Sequence, residues 1–221
     1  MKVVLCLGVI AVALPTRAAE PTEKAYIALE GEGRIAVLDT QTRQIIRQID
    51  VTETINGTPV MFAPHNVQVA PDGRSVWVTA NVHGHHGHAE TGHEPEAPAR
   101  DQVIVIDPTK DVIVRRIPVA PRAHLSHVVV TTDGKTAYVN AQEEHRVYRI
   151  DADTYRILGF TSVAGQGPHG IRLTPVGSRG YLAMIQGNSM GVLDTVSGGM
   201  SYLPVGGAAI QTAVCHQSVE R

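Results

Sequence analysis

Apolar and polar residues alternate along most of the chain from residue 24 onward, as in the stretches KAYIALEG and RIAVLD. A period of two places successive side chains on opposite faces, so this alternation predicts half-buried β-strands. Short segments rich in Gly, Pro and Asp separate the alternating stretches and predict tight turns. The predicted strands lie at 25–29, 34–38, 44–51, 65–70, 75–80, 102–107, 112–119, 126–131, 136–140, 146–150, 155–163, 169–174, 180–185, 190–194, 200–205 and 210–214.

The predicted strands recur as a four-stranded unit. Aligning the units on their turns makes Asp72-Gly73, Asp133-Gly134 and Val176-Gly177 equivalent. The second interval is 43 residues, and the first is 61 residues because it also contains an insertion at about 82–100. A repeat of about 40 residues with four strands is typical of a β-propeller, whose blades bury one another's faces. A two-sheet sandwich would explain the strands but not their regular spacing.

The repeated units carry a family resemblance. The segments PDGRSVWVTAN and TDGKTAYVNAQ, with the VIDP and VLDT that follow such segments, resemble the YVTN-type repeat. That repeat is shared by periplasmic YncE-like proteins, surface-layer proteins and cytochrome d1-like propellers. The resemblance covers about residues 24–214 and implies an all-β propeller fold. It implies no single function, because these proteins include binders, electron-transfer domains and enzymes.

The number of units departs from the family, whose propellers usually have about seven blades. This chain has four units, of which the first begins with the second strand of a blade. The segment 210–214 is predicted to be a first strand, and it could complete the blade at 25–51 and close a four-bladed ring. The alternative is an incomplete seven-bladed arc, whose open strand edge and apolar blade face would favour self-association.

The N-terminal residues have the organisation of a secretory signal peptide. Lys2 supplies a positive charge, an apolar segment runs from Val3 to Leu14, and Thr16-Arg17-Ala18 offers a cleavage site. The apolar segment is too short for a stable membrane anchor. We therefore predict a signal peptide at 1–19, a propeller domain at 20–221 and a periplasmic or secreted bacterial protein, the alternative being a buried first strand or helix. Cys215 would be the only cysteine of the mature chain, so no internal disulfide is expected.

Charge and motif content narrow the classes of function. The net charge is −2 and 18% of the residues are charged, whereas binding to nucleic acid or a membrane surface needs a concentrated basic patch. The sequence contains neither a Walker-type phosphate loop, G-x-x-x-x-G-K-[ST], nor an HExxH motif. No catalytic residue is predicted, and a non-enzymatic role is favoured over an enzymatic one.

The insertion at 82–100 contains five of the eleven histidines. They are His83, His85, His86, His88 and His93, and the acidic residues Glu90, Glu94 and Glu96 follow or lie between them. Neutral imidazoles bind borderline divalent ions, so the tract predicts binding of Cu²⁺, Zn²⁺ or Ni²⁺. The alternative is a polar loop that binds metal only adventitiously.

Three histidines mark the starts of inner strands. His65 and His169 occupy the same position of the repeat, and His127 lies one position later. Inner-strand starts converge on the central channel of a propeller, so these residues are predicted to line a metal or heme pocket. The resemblance to cytochrome d1-like propellers implies that His127 and His169 would lie over the heme, although no CxxCH motif is present. The alternative is that the Pro-His pairs are ordinary turn residues.

The connections of a blade alternate between two faces, which assigns each histidine to a face. Ten of the eleven histidines are predicted on one face and only His216 on the other. The leading hypothesis is an exported, non-enzymatic propeller that binds a transition metal ion, or a metal-bearing periplasmic protein, through this face. The alternatives are a redox or heme-handling protein resembling cytochrome d1-like propellers, and a metal-independent scaffolding or lactonase-like propeller.

Overall fold

A computed structural model describes residues 23–84, 99–164 and 166–215. These residues form seventeen β-strands and a single 3₁₀ helix, Glu30–Glu32. The strands are β1 (Lys24–Leu29), β2 (Arg34–Asp39), β3 (Gln44–Asp50), β4 (Glu53–Ile55), β5 (Thr58–Val60), β6 (Phe62–Val69), β7 (Val76–Val82), β8 (Asp101–Asp107), β9 (Val112–Ala120), β10 (Leu125–Val130), β11 (Thr136–Ala141), β12 (Arg146–Asp151), β13 (Ile157–Ser162), β14 (Pro168–Leu173), β15 (Arg179–Met184), β16 (Ser189–Asp194) and β17 (Met200–Pro204).

The strands assemble in chain order into antiparallel sheets, which we call blades. Blade 1 contains β1–β3, and blades 2, 3 and 4 contain the four-stranded sets β6–β9, β10–β13 and β14–β17. An aspartate ends the last strand but one of each blade, and its carboxylate accepts backbone N–H groups of the following turn. These residues are Asp39, Asp107, Asp151 and Asp194. The turns hold successive strands antiparallel, so each unit folds as one blade.

The blades stack through three apolar interfaces. Strand β8 shows why its sequence is a continuous apolar run: Ile104 and Ile106 face blade 1, and Val103 and Val105 face blade 3. Strand β1 packs on β6 as β7 packs on β10 and β11 on β14. Strand β1 is therefore the second strand of its blade, as predicted. Stacked antiparallel blades with adjacent inner strands form a β-propeller.

The strand predicted at 210–214 is absent. Segment 205–215 lies along blade 4 through separate hydrogen bonds, from Gly170 N to Ile210 O (3.1 Å), from Ala209 N to Met184 O (3.3 Å) and from Thr212 Oγ1 to Tyr181 O (3.0 Å). It forms no ladder, because a strand requires a continuous partner edge. Within the described residues β1 pairs only with β2. The blades therefore form an arc and not a ring closed by 210–214.

The predicted connection between blades 1 and 2 contains a hairpin, β4–β5, that the alternation did not indicate. Asn56 and Gly57 form its turn with φ of 50° and 80°, and Asn-Gly is a strong hairpin signal. Among the residues in the three described ranges, no helix is long and apolar enough to span a membrane. The predicted signal peptide and residues 85–98 of the insertion lie outside those ranges.

Candidate functional site

Each of the three inner strands has a β-bulge at its histidine. The register shifts lie between Pro64 and Asn66, between Leu125 and Val128, and between Pro168 and Ile171. His65, His127 and His169 fall inside these intervals. A bulge releases its residues from the alternation of the strand and re-aims their side chains. The bulges of β10 and β14 each span two residues. His127 therefore lies beside His65 and His169 although it comes one position later in the repeat.

Four imidazole rings lie together at these bulges, and we call them the histidine cluster. Ring centroids are 5.1 Å apart for His127 and His169, 5.8 Å for His65 and His169, and 6.3 Å for His65 and His127. The fourth ring belongs to His124, which lies 5.4 Å from His65. His124 directly precedes β10 and has a positive φ of 48°. The structure thus brings together the three predicted residues and adds one.

Two histidines of the cluster have a defined tautomer. His65 Nδ1 lies 3.2 Å from Glu30 Oε1, and His169 Nδ1 lies 3.0 Å from the carbonyl oxygen of Ile210. Both partners only accept hydrogen bonds when Glu30 is ionised, so each Nδ1 carries the proton. In neutral His65 and His169 the lone pair therefore resides on Nε2.

Segment 205–215 covers part of the cluster. Besides the Ile210 carbonyl bonded to His169, the side-chain amide of Gln211 lies 3.0 Å from His127 Nε2. The segment approaches β14 closely at Gly170. A Cβ placed there would lie 2.6 Å from Gln211 Oε1 and 2.7 Å from Ile210 O. A glycine is therefore required in β14 for the segment to lie over the histidines.

His127 is the buried member of the cluster, with 5% of its surface exposed. Burial, reinforced by the neighbouring His169, His65 and Arg172, lowers the pKa of its imidazole to about 3. Burial also lowers the pKa of His169. Both rings are neutral near pH 7, and neutral imidazole is the form that binds metals. His127 Nδ1 is buried and has no hydrogen-bond partner among the described residues, which is uncommon for a buried polar atom.

Three buried polar residues position the cluster, and sequence analysis did not single them out. Ser126 Oγ donates to the carbonyl of His169 (3.0 Å), and Asn140 Nδ2 donates to the same carbonyl (2.8 Å). Asp101 Oδ2 accepts the backbone N–H of His124 (2.9 Å). Ser126 and Asn140 interrupt otherwise apolar strands, and this interruption was the available signal. These bonds fix the backbone from which the imidazoles project.

The cluster does not have the geometry of a formed metal site. No group of three or more His, Cys, Asp or Glu side chains in the described part of the chain is arranged to hold a metal ion as it stands. Two imidazoles bound to one zinc ion at about 2.0–2.1 Å have ring centroids about 5 Å apart. The separations of 5.1 and 5.4 Å meet this value, whereas those of 5.8 and 6.3 Å exceed it. Metal binding would therefore require His65 to move toward His127 and His169 by about 1 Å.

The histidines predicted in the insertion are placed only in part. His83 directly follows β7, is exposed, and donates its backbone N–H to Met61 O (2.9 Å). His85, His86, His88 and His93 lie outside the described residues, as does His216. His145 is in the β11–β12 turn, and its Nδ1 accepts the N–H of Gly167, just before β14 (3.3 Å). That turn therefore lies on the same face of the propeller as the start of β14.

Comparisons with known proteins bear on the fold. No protein-family model matches the sequence, and no relative is found among curated proteins. Hydrazine synthase of Kuenenia stuttgartiensis is similar in structure, with a TM-score of 0.59 and 20% identity over 77% of this chain and 49% of that chain. Virginiamycin B lyase of Staphylococcus aureus has a TM-score of 0.60 and 16% identity over 82% of this chain and 52% of that chain.

Both similar structures are β-propeller proteins, so the fold predicted from the repeat is confirmed. The chain spans about half the length of each. Similarity at these identities shows the fold alone. The YVTN-type assignment, export, and the metal and heme sites remain predictions.

Proposed function

We propose that the chain is an exported β-propeller that binds a transition metal ion, Cu²⁺, Zn²⁺ or Ni²⁺, through its histidine-rich face. The proposed ligands are His65, His127 and His169, with His124 beside them. One observation carries the proposal: imidazoles converge at three bulges, and two of them have their Nδ1–H groups bound to protein acceptors. A metal-bearing periplasmic protein that offers a ligand to the same cluster would use the same residues.

The hydrogen bonds around the cluster support metal binding. A metal-bound histidine nearly always donates its second ring N–H to a carboxylate or a backbone carbonyl, which fixes the tautomer and orients the ring. The Glu30 carboxylate does this for His65, and the Ile210 carbonyl does it for His169. Both rings then offer Nε2, and His127 adds a neutral ring from the interior. Three imidazoles with a remaining open position suit zinc or copper.

Segment 205–215 adds a step to binding. Gln211 occupies His127 Nε2, so that nitrogen can bind a metal only after the amide has moved away. The segment contributes the Ile210 carbonyl at the same time, so we expect it to shift at Gln211 and not to leave the cluster. Replacing Gln211 with Ala should therefore raise the affinity for metal without altering the fold.

Equilibrium dialysis of tag-free protein against Cu²⁺, Zn²⁺ and Ni²⁺ tests the proposal. We expect at least one of these ions to bind with a Kd below about 10 µM. The double variant His127→Gln, His169→Gln should lose this binding, because each amide removes an imidazole while retaining its approximate volume. His145→Asn is the matched control, since it removes a histidine outside the cluster and asparagine tolerates the positive φ of 53° there.

A second variant separates the cluster from the insertion. Replacing His83, His85, His86, His88 and His93 with Asn removes the insertion's imidazoles and leaves the cluster intact. Binding that survives this change and disappears in the cluster variant supports the proposal. Binding that depends only on the insertion contradicts the cluster as the set of ligands, and a Kd above about 10 µM for every ion contradicts metal binding by this face.

The heme-handling alternative depends on the contact between His127 and His169, whose rings are 5.1 Å apart. Protein purified from its native host would then show a visible absorption band that shifts when both residues are replaced. A colourless protein that also binds no metal would favour the metal-independent scaffolding or lactonase-like alternative.

A further inference from the structure

A second polar position interrupts the apolar interfaces, far from the histidines in the repeat. Two residues before the aspartate that ends each third strand, blades 1, 2 and 4 have Val37, Val105 and Val192. Val37 and Val105 are fully buried. Blade 3 has Arg149 at this position, on the face turned toward blade 4. Departure from the rule that a repeat otherwise obeys is typical of a functional position.

The residue that pairs with Arg149 across the strands also differs from that of blades 1 and 2. In blades 1 and 2 the buried valine pairs with an arginine of the fourth strand, Arg47 or Arg115. In blade 3 the arginine is on the third strand, and its partner is Gly159. Gly159 has φ of 143°, and a Cβ added there would meet no atom within 4 Å. Open space therefore lies opposite the guanidinium.

A third change enlarges this space. Four residues after the aspartate, the chain has a positive φ in every blade, and the residue there is Tyr155 in blade 3. The centroid of its ring lies 6.0 Å from that of Trp77 and 5.8 Å from the guanidinium carbon of Arg115. These three side chains fill the interface between blades 2 and 3. Blade 4 has Gly198 at the equivalent position. The missing side chains leave a cleft of ≈ 380 Å³ between blades 3 and 4.

The cleft combines one cationic group with walls that are partly hydroxyl-bearing and partly apolar. Besides Arg149, its lining includes Tyr138, Val147, Leu158 and Leu193, and the hydroxyl-bearing residues Thr161, Thr195 and Ser197. Arg149 Nε is buried and has no hydrogen-bond partner among the described residues. The carboxylate in the lining, Asp194, is bound to the backbone of its own turn through Val196 N and Ser197 N. A buried guanidinium nitrogen without a protein acceptor leaves a place for an acceptor from outside the protein, either a water molecule or a ligand oxygen.

We propose that this cleft binds a small organic anion, a carboxylate attached to an apolar body. The carboxylate would accept hydrogen bonds from Arg149, whose planar guanidinium matches carboxylate geometry. The apolar body would lie against Leu158, whose side chain is half-exposed, above the buried Val147 and Leu193. The cleft adjoins the β16–β17 turn, and such turns lie on the propeller face opposite the histidine-bearing connections. The site is therefore independent of the proposed metal site.

NMR titration with benzoate tests this proposal, with benzamide as a neutral probe of the same shape. We expect benzoate to cause saturable shifts at the backbone amides of Gly159, Thr161 and Gly198 and at the Nε–H of Arg149, and benzamide to cause none. Arg149→Val restores the residue found in the other blades and should weaken benzoate binding at least about tenfold. Arg115→Ala is the matched control, because it removes an exposed arginine of blade 2 and should leave binding unchanged.

Three results would overturn the proposal. They are the absence of saturable shifts up to about 20 mM benzoate, equal binding of benzoate and benzamide, and full binding by the Arg149→Val variant. Should Arg149→Val fail to fold, Arg149→Lys keeps the charge but removes the Nε donor and the planar fork. It should fold and bind benzoate more weakly than the unchanged protein.

Discussion

The interface between blades 2 and 3 and the interface between blades 3 and 4 use equivalent strands in the same register. Aromatic and arginine side chains fill the first interface, whereas the second contains a cleft of ≈ 380 Å³. At the first, Trp77 is buried and packs on Tyr155, which Arg115 covers from outside. At the second, Tyr138 takes the place of Trp77 and bonds weakly to Thr195 O at 3.4 Å. Gly159 and Gly198 replace the two covering residues. Three positions in the repeat thus decide whether stacked blades form a closed core or a binding site.

The largest expected effect comes from moving the arginine into the closed interface. Val105→Arg places a guanidinium where Val105 is fully buried in an apolar cluster. It should reduce the free energy of unfolding by about 4 kcal/mol or more, because the charge would lose its hydration among apolar side chains. Urea unfolding followed by the fluorescence of Trp77 measures this. Val192→Arg is the control, since the equivalent residue on blade 4 is only half-buried; it should cost less than about 1 kcal/mol. Equal costs would show that blade position does not matter.

The equivalent aromatic residues give the next largest effect. Trp77→Ala should cost about 3–5 kcal/mol, because it leaves a cavity in a closed core. Tyr138→Ala should cost about 2 kcal/mol, because water from the adjoining cleft can enter the vacated volume. Urea unfolding followed by circular dichroism compares both variants in the same way. A cost for Tyr138→Ala as large as that for Trp77→Ala would mean that the second interface is closed in solution.

His127 lies where the inner ends of both interfaces meet, and its titration should have a smaller effect on the free energy of unfolding. Its folded-state pKa of about 3 lies below the usual 6.5, so between these values the unfolded chain binds a proton that the folded chain does not. Metal-free protein should lose stability through this residue as the pH falls from 6.5 toward 3, by about 1–2 kcal/mol between pH 7 and pH 5. The groups that surround it are His65, His169 and Arg172.

His127→Gln isolates this contribution, because glutamine does not titrate and the carboxylates of the protein are the same in both chains. The difference in unfolding free energy between the two proteins, measured in urea at several pH values, should shrink or change sign as the pH falls. A difference that stays constant from pH 7 to pH 5 would show that His127 is exposed to solvent.

Most of the fold could be predicted from sequence because its signals are local. Period-two alternation and the Asp-Gly turns located the strands between residues 25 and 205 to within a few residues. The error at 210–214 has a tertiary cause, since alternation shows which residues could face a core but not whether a partner edge exists. Hairpin β4–β5 has a local signal in Asn56-Gly57, but its strands are too short for alternation to indicate them.

The two candidate sites differ in how far sequence could reach them. Repeat alignment brought His65, His127 and His169 together, because equivalent positions of a propeller converge. It could not supply Glu30, Ile210 or Gln211, since these contacts join residues 35 to 84 positions apart with no shared repeat position. Arg149 was within reach, because comparing it with Val37, Val105 and Val192 needs only the repeat.

The smallest expected effect is the sharpest test of the difference between the two interfaces. Arg149→Val gives blade 3 the residue of the other blades and removes a buried guanidinium nitrogen that has no acceptor in the described part of the chain. We expect the free energy of unfolding to rise by about 0.5–1 kcal/mol, because an unsatisfied buried donor costs more than the arginine side chain contributes in contacts. Urea unfolding followed by Trp77 fluorescence measures this, and saturating benzoate should stabilise the unchanged protein but not the variant. A variant that is less stable than the unchanged protein would mean that Arg149 holds blades 3 and 4 together. A gain in stability with a loss of binding would show that the arginine is kept at a cost to the fold, as expected for a residue that serves a ligand.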